Sequence, residues 1–274
     1  MAPCGGYVTP LSHLRNLSGM LGIDLWVKRD DLWPISGGGN KGRKGVYIMR
    51  QAHAAGANAV VTTGGVQSNH ARAIALLAAS RGWKCRLVLH GPKELLLEPY
   101  GNLRLMVLSG ADITVVQPSD IAAQMSASME ALRAEGYVPF EIPGGGHLVE
   151  GARAYVDAAS ELVSQCREQD WQPEVIVLAS GTGTTQAGLL VGLALEGVQA
   201  SLIGVSVARR NPRGQSVVSA ICTEVAITLH LGRSLTEPYF RDDWVGEGYE
   251  RADSRVHETI GLVARTEGLV LDPT

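Results

Sequence analysis

The sequence has few aromatic side chains and no long apolar run. Only two phenylalanines occur among its 274 residues, so aliphatic side chains must fill most of the core. No window approaches the roughly 18 uninterrupted apolar residues of a membrane span. The segment Met1–Tyr7 also lacks a basic stretch followed by an apolar one. We therefore expect neither secretion nor membrane insertion.

Positive charge is not concentrated anywhere in the chain. The sequence has 24 basic and 27 acidic residues, a net charge of -3, with no dense run of Lys and Arg. A protein that binds nucleic acid needs clustered positive charge to neutralise phosphates. We therefore expect no nucleic-acid partner.

Patterns that indicate metal binding or a serine nucleophile are also lacking. The cysteines at positions 4, 85, 166 and 222 are far apart, and no His/Cys cluster has zinc spacing. No H-E-x-x-H occurs, and Ser180 lies in A-S-G-T-G rather than in G-x-S-x-G. We predict no metal, and we interpret the cysteines as reduced thiols of a cytoplasmic protein.

What the sequence does contain is an alternation of short β-branched runs with longer segments of helical period, which predicts an α/β fold with a mostly parallel sheet. The predicted strands are Ala59–Thr63, Cys85–Leu89, Ile113–Val116, Val175–Ala179 and Leu202–Val207. The predicted helices are Gly42–Ala55, Asn69–Arg81, Asn102–Ser109, Ser119–Glu135, Leu148–Cys166 and Thr184–Glu196.

Two glycine-rich breaks suggest that one lobe is inserted in another. Ser36–Gly39 and Pro143–Gly146 bracket about four βα repeats. A chain of 274 residues is also long enough for two domains. We predict a large discontinuous domain of residues 1–43 and 156–274, and a smaller domain of residues 44–155.

The first segment that could take part in catalysis or binding is a glycine-rich turn that leads into Lys41. It reads Gly37-Gly38-Gly39-Asn40-Lys41-Gly42-Arg43-Lys44. The positive end of a helix dipole disfavours an ammonium group. A lysine at a helix N-terminus should therefore have a lowered pKa and attack an aldehyde more readily. The alternative is a solvated basic turn, because glycine and lysine are common there.

The second segment, Thr62-Thr63-Gly64-Gly65-Val66-Gln67-Ser68-Asn69-His70, lies between a predicted strand and a predicted helix. Ligands bind at the carboxyl ends of strands in open α/β sheets, and a helix N-terminus there suits a carboxylate or phosphate. The alternative is that Ser68 or Asn69 is an ordinary N-cap.

The third segment is a strand, a glycine turn and a helix. The turn reads Gly181-Thr182-Gly183-Thr184-Thr185. A phosphate bound there would receive hydrogen bonds from backbone amides and hydroxyl groups and would lie at the positive end of a helix dipole. The spacing G-x-G-x-x-Q misses the dinucleotide fingerprint, and the next strand ends in Ala208-Arg209-Arg210 instead of an acidic residue. A single phosphate is therefore a better prediction than a nicotinamide dinucleotide.

Together these segments resemble the pyridoxal 5'-phosphate (PLP) dependent family of 1-aminocyclopropane-1-carboxylate deaminases and D-cysteine desulfhydrases, which has the two-lobed tryptophan-synthase-β fold. The resemblance covers nearly the whole chain. It rests on Gly38-Gly39-Asn40-Lys41-x-Arg43-Lys44, Gln67-Ser68-Asn69-His70, the glycine-threonine segment, Thr9-Pro10-Leu11, Lys28-Arg29-Asp30-Asp31-Leu32, Gly101-Asn102, Pro143-Gly144-Gly145 and Glu267-Gly268-x-x-Leu271-Asp272-Pro273.

The resemblance implies a role for each residue of the predicted site. Lys41 would hold PLP as a Schiff base and move protons at the substrate carbon. Ser68 and Tyr249 would be further catalytic groups. The substrate would be bound by Ser68, Asn69 and His70, and the cofactor by Asn40, Lys41, Lys44, Asn69, Gly181, Thr182, Gly183, Thr184 and Thr185.

The resemblance also suggests a reaction, a small amino acid as substrate and a homodimer. His70, where the deaminase branch has glutamine, is more similar to the desulfhydrase branch and favours β-elimination. D-cysteine is the leading substrate, followed by L-cysteate and 1-aminocyclopropane-1-carboxylate.

Three positions depart from the family pattern. The sequence stops at Thr274, where the pattern continues with a second tyrosine and the residue that faces the pyridine nitrogen. We therefore expect that the chain is incomplete there or that its activity is impaired. Glu250 and Thr184 each replace a glycine. A non-catalytic PLP-binding relative and a nicotinamide-dependent oxidoreductase stay as alternatives to the lyase.

Overall fold

The computed structural model describes residues 7–249 and 251–273, and it divides into two compact units. The first unit contains Asp30–Ala154, and Tyr7 belongs with it. The second contains Val8–Arg29 and the chain from Tyr155 onward. Residues 30–43, which we assigned to the larger domain, group here with residues 44–154. The domain boundaries at 43/44 and 155/156 stay a prediction.

The helices and strands alternate along most of the described chain. The strands are β1 (Leu11–His13), β2 (Trp26–Lys28), β3 (Ala59–Gly65), β4 (Lys84–His90), β5 (Asp112–Val115), β6 (Pro139–Ile142), β7 (Val175–Ser180), β8 (Ser201–Ser206) and β9 (Tyr239–Arg241). The helices are α1 (Arg15–Leu21), α2 (Gly39–Ala54), α3 (Asn69–Ala79), α4 (Gly101–Leu108), α5 (Ile121–Ala134), α6 (Val149–Glu168), α7 (Thr184–Glu196), α8 (Arg213–Thr228) and α9 (Ser254–Glu267).

The first unit is built on a parallel sheet with the strand order β5-β4-β3-β6. The central strand β3 opens with the apolar run Ala59-Val60-Val61, which is fully buried and pairs with β4 and β6. Helix α5 covers part of this sheet with Met125, Met129 and Leu132. Because β3 is central, the turn that follows it lies at the middle of one sheet edge.

Helices α2 and α3 of this unit pack closely because α2 has a glycine at the point of contact. A Cβ atom on Gly45 would lie 2.6 Å from Leu77 Cδ1. The close approach brings the helix that carries Lys41 against the helix that follows β3.

The second unit has a parallel sheet with the order β7-β8-β9 and a short antiparallel pair, β1 and β2. Leu14 and Leu17 of α1 pack with Val263 of α9. Lys28 on β2 contacts Glu161 on α6 and also donates to the carbonyl oxygen of Thr9 at 2.6 Å. This polar contact connects the N-terminal segment of the unit to α6.

A buried glutamine connects the outer strands of the second sheet across its middle strand. Gln186 on α7 is fully buried. It accepts a hydrogen bond from Ser180 Oγ at 2.8 Å and donates to the Tyr239 carbonyl at 3.0 Å. Gly204 on β8 leaves room for this side chain, because a Cβ there would lie 2.0 Å from Gln186 Oε1.

The predicted α/β class with parallel sheets is confirmed, and each predicted strand and helix is present with shifted ends. Sequence reasoning did not single out the short strands β1, β2, β6 and β9, or the helices α1, α8 and α9. A strand of three or four residues has too few positions to show an alternating pattern. Over the part of the chain that the structure describes, no helix has both the length and the apolar character to cross a membrane.

We expect that Gly204→Ala lowers the free energy of unfolding by about 3 kcal/mol, because overpacking a buried site forces neighbours to move. Urea denaturation measures this. Gly232→Ala is the matched control, since no atom lies within 4 Å of its added Cβ. Equal stability of the two variants would contradict the packing role of Gly204.

Candidate functional site

Lys41 is the third residue of α2, as the sequence predicted, and it follows a turn that requires glycine. Gly37, Gly38 and Gly39 have φ of 76°, 75° and 77°, which side chains disfavour. A Cβ on Gly38 would also lie 2.3 Å from the Asp31 carbonyl oxygen. The Lys41 amine donates to Asn40 Oδ1 at 3.3 Å.

A buried ion pair holds this end of α2. Arg43 is 1% exposed and donates two hydrogen bonds to Asp30, at 3.1 and 2.7 Å. Its guanidinium also lies over the Trp33 ring, 4.4 Å from the centroid. Two parallel N–H···O bonds fix both the position and the plane of the guanidinium. The second turn of α2, directly after Lys41, is therefore rigidly held.

Lys44, one turn beyond Lys41, is buried. Its amine donates to the carbonyl oxygen of Gly145 at 2.8 Å. Burial, reinforced by the nearby charge of Lys41, holds the pKa of Lys44 well below its ordinary value. A group such as a phosphate that carried negative charge to this place would favour the protonated amine.

His70 is also buried, and its hydrogen bonds identify the protonated ring nitrogen. The Thr62 hydroxyl donates to the Ile142 carbonyl at 2.8 Å, so it must accept from His70 Nε2 at 2.9 Å. Burial, followed by the charges of Lys44 and Lys41, lowers the pKa of His70 well below its ordinary value. The ring is therefore neutral, with its proton on Nε2 and an acceptor at Nδ1.

Ser68 and Asn69 lie at the start of α3. Ser68 caps the helix, accepting a hydrogen bond from the Ala71 amide at 3.2 Å, so the N-cap interpretation is confirmed. Gly64 leaves space for it, because a Cβ there would lie 2.5 Å from Ser68 Oγ. Asn69 Oδ1 accepts from Asn102 Nδ2 at 2.9 Å and from Arg72 Nη1 at 3.2 Å.

In the second unit, the glycine-threonine segment Gly181–Thr185 connects β7 to α7. Its helix begins at Thr184, and the N-cap Gly183 has φ of 87° and provides no side-chain cap. The first amides of a helix have no partner within the helix. Hydroxyl groups are close by, with Thr182 Oγ1 and Thr184 Oγ1 3.3 Å apart. This set of donors suits a phosphate.

Two arginines that follow β8 donate hydrogen bonds to backbone carbonyl oxygens of this unit. Arg209 donates to the carbonyl oxygen of Gly181. Arg210 donates to the carbonyl oxygen of Asp242 at 2.7 Å, in the stretch that leads to Tyr249. The Tyr249 side chain is 42% exposed. Glu250 lies outside the described residues.

The model of one protein family, described as "Pyridoxal-phosphate dependent enzyme", matches residues 5–274. The chain belongs to this family. The match confirms the family and the cofactor predicted from the sequence, and it removes the support for a nicotinamide-dependent oxidoreductase.

Individual relatives agree with the family match. The D-cysteine desulfhydrases of Salmonella choleraesuis and Salmonella typhi are each 37% identical to the chain over 276 residues, which cover 98% of it and 82% of those proteins. The crystal structure of an ACC deaminase homologue has a TM-score of 0.89 and 32% identity, and the alignment covers 99% of this chain and 82% of that one. A fungal L-serine ammonia-lyase from Rhizomucor miehei shares the fold, with a TM-score of 0.68, 17% identity and coverage of 97% and 83%.

The described residues fit the chemistry of PLP. The aldehyde needs a primary amine, which Lys41 provides, and the phosphate needs the donors that Gly181–Thr185 provides. Among residues 7–249 and 251–273, no group of three or more His, Cys, Asp and Glu could hold a metal ion. The assignment of each site residue to a role stays a prediction.

Sequence reasoning missed several residues that support this site. Thr62 fixes the protonated nitrogen of His70, Arg209 contacts Gly181, and Arg72 contacts Asn69. Arg72 had a detectable signal, since it lies three positions after Asn69 on a predicted helix and therefore on the same face. The contacts of Thr62 and Arg209 depend on the tertiary structure.

We expect the buried His70 to make stability depend on pH. The pKa of His70 is well below 6.5 in the folded protein. Below about pH 6.5 the unfolded chain therefore binds a proton that the folded protein does not. The free energy of unfolding therefore decreases as the pH is lowered below about 6.5, by up to about 1.4 kcal/mol per pH unit. His70→Gln should remove this part of the slope, measured by urea denaturation between about pH 5 and pH 7.5.

The exposed His257 is the control for this measurement. His257→Gln should keep the slope of the unsubstituted protein. An identical slope in His70→Gln would show that His70 titrates normally in the folded protein.

Proposed function

We propose that this chain eliminates the β-substituent of a small amino acid, with D-cysteine as the leading substrate and sulfide, pyruvate and ammonia as products. The observation that carries the proposal is Lys41, a primary amine at the start of α2, one turn before the buried Lys44. The choice of D-cysteine is supported by the 37% identity to D-cysteine desulfhydrases over 98% of the chain.

The work of the protein in this reaction is to move protons at the substrate. When bound, PLP supplies a conjugated ring that accepts the electron pair left on Cα. Lys41 Nζ takes the proton from Cα as general base. The C–S bond then breaks, and its electron pair leaves with sulfur, which takes up a proton. The remaining enamine reacts with one water to give pyruvate and ammonia.

The other residues bind and orient the substrate. Ser68 accepts from the Ala71 amide and keeps its own O–H proton, so it donates to a carboxylate and serves as a secondary acid. Asn69 donates from Nδ2 to the carboxylate or the cofactor ring. His70 lies beside the substrate as a neutral acceptor, because its Nε2 proton is used by Thr62.

The remaining residues of the proposed site bind the cofactor phosphate through a cationic side chain and hydrogen-bond donors. We assign it to Lys44 and to Gly181, Thr182, Gly183, Thr184 and Thr185, with Asn40 beside Lys41. Two features support the assignment for the glycine-threonine segment. These are the helix dipole of α7 and its N-cap residue Gly183, which has no side chain to cap the helix. Tyr249, partly exposed after a glycine turn, is a further proton donor.

A second substrate is supported by the structure of the ACC deaminase homologue, which is 32% identical over 99% of the chain. With 1-aminocyclopropane-1-carboxylate, a ring C–C bond would be cleaved instead of a C–S bond. L-Cysteate, a β-substituted alanine whose leaving group is sulfite, would use the same proton removal as D-cysteine.

The protein is also proposed to act in the cytoplasm as a homodimer. Cys85, Cys166 and Cys222 are buried free thiols, which suits a reducing compartment. The dimer follows from the family resemblance. Light scattering of the purified protein should give twice the 29.1 kDa mass of the chain, and a monomeric mass would contradict it.

We expect that Lys41→Ala abolishes covalent attachment of PLP and lowers kcat by at least about 1000-fold, because the base is lost. Mass spectrometry after borohydride reduction detects the attachment, and sulfide and pyruvate assays measure turnover of D-cysteine. Lys93→Ala, at an exposed lysine of a short 3-10 turn, is the control.

Each outcome has a separate meaning. Attachment with sulfide and pyruvate release supports the proposal, and turnover of only L-cysteate or 1-aminocyclopropane-1-carboxylate identifies another substrate. PLP attachment with no turnover of any of the three would favour a non-catalytic relative. Absence of attachment to the unsubstituted protein would overturn the proposal.

We expect Thr182→Val to weaken PLP binding about tenfold, since a hydrogen bond to a charged group is worth about 1.5–3 kcal/mol. Binding of pyridoxal, which lacks the phosphate, should be unchanged. Equilibrium dialysis measures both. An equal loss for the two ligands would argue against a phosphate contact at Thr182.

A further inference from the structure

Arg72 connects three separate segments of the first unit through one guanidinium group. It donates to the Gly38 carbonyl at 3.3 Å, to Asn69 Oδ1 at 3.2 Å and to Asn102 Oδ1 at 3.1 Å. Gly38 belongs to the turn before Lys41, and Asn69 and Asn102 are the first and second residues of α3 and α4. The side chain therefore reaches both the lysine turn and the proposed ligand-binding asparagine.

The chemistry of arginine determines how the amide of Asn69 is oriented. A guanidinium group only donates hydrogen bonds, so Asn69 and Asn102 must turn their amide oxygens toward Arg72. Asn102 then directs its Nδ2 at Asn69 Oδ1, 2.9 Å away, and at the Gln67 carbonyl, 2.8 Å away. With two donors on its oxygen, the amide of Asn69 cannot be flipped without placing donor against donor. Its Nδ2 donor is held on the opposite side.

The turn before Lys41 is shaped to admit the same guanidinium. A Cβ on Gly37 would lie in ordinary van der Waals contact with Arg72 Nε, at 3.5 Å, so the turn passes directly beside the guanidinium group. Gly38 keeps its positive φ against the Asp31 carbonyl and presents its own carbonyl oxygen to Arg72 Nη2. Arg72 therefore restrains both the turn before Lys41 and the start of α3 at Asn69.

We propose that Arg72 is a positioning residue that holds the Nδ2 donor of Asn69 toward the ligand and fixes the turn that precedes Lys41. The inference rests on the proposed function only for the identity of the ligand. The orientation of Asn69 is a property of the chain without cofactor. Arg72→Met removes the donors, and Arg72→Lys keeps the charge but loses the planar fork.

The first experiment examines the cofactor-free protein by NMR. The two Nδ2 protons of Asn69, assigned by their absence in Asn69→Ala, should give two distinct signals in the unsubstituted protein. These signals should shift or broaden in Arg72→Met and Arg72→Lys, because the amide loses the hydrogen bond that its Oδ1 accepts from Arg72 and becomes freer to rotate. Arg133→Met, at an exposed arginine of α5, should leave them unchanged. Unchanged signals in both Arg72 variants would overturn the inference.

The second experiment is a double-mutant cycle on PLP affinity, measured by equilibrium dialysis. Arg72→Met and Asn69→Ala should each weaken binding about tenfold, and the double variant by less than about 30-fold, because Arg72 acts partly through Asn69. Independent losses would multiply to about 100-fold and would overturn the inference. If Arg72→Met fails to fold, Arg72→Lys takes its place in the cycle.

The two experiments separate the inference from the proposed function. A protein that does not bind PLP at all overturns the proposed function, while the NMR measurement still decides whether Arg72 orients Asn69. A kinetic signature follows as well. Arg72→Lys should lower kcat for D-cysteine more than it raises KM, because misplaced groups penalise the transition state; an increase confined to KM would contradict the positioning role.

Discussion

The site depends on the N-termini of the helices that follow parallel strands. The first amides of any helix lack partners within it, and the sequence satisfies this need differently after β3 and after β7. At α3, the side chain of Ser68 caps the helix by accepting a hydrogen bond from the Ala71 amide. At α7, Gly183 has no side chain to offer. The start of the first helix is therefore capped by its own side chain, whereas the start of the second has no side-chain cap and suits an anion.

Positive charge near Lys41 is the second constraint, and the protein offsets it in two ways. Arg43 keeps its charge because Asp30 pairs with it through two hydrogen bonds. Lys44 and His70 instead have lowered pKa values, because burial and neighbouring cations disfavour their charged forms. A phosphate dianion bound near Lys44 would reverse this balance. In the proposed enzyme, cofactor binding and protonation at this site are therefore linked.

The sequence could point to the segments of the candidate site because each of them carries a local signal. Glycines before Lys41, the polar turn from Thr62 to His70 and the repeated threonines after Gly181 each stand at a break between periodic segments. The role of His70 could not be derived in the same way. Its neutral state depends on Thr62 and on the carbonyl of Ile142, which is 80 residues further along the chain. Sheet pairing of β3 with β6, which sequence reasoning did not single out, creates that contact.

By itself the sequence determined the α/β class and the positions of Lys41 and Ser68 at helix starts, because strand and helix periods and turn residues are local properties. The family and the cofactor followed from the resemblance of its motifs to a known family, which the family match supports. The tertiary structure decided which groups share one environment. Arg72 is three positions from Asn69 along the chain, but its contacts with Gly38 and Asn102 require folding. The space for Ser68 beside Gly64 and for Gln186 beside Gly204 is likewise set by packing. Hydrogen bonds and close packing act over a few ångströms, and only the folded chain brings distant residues within that range.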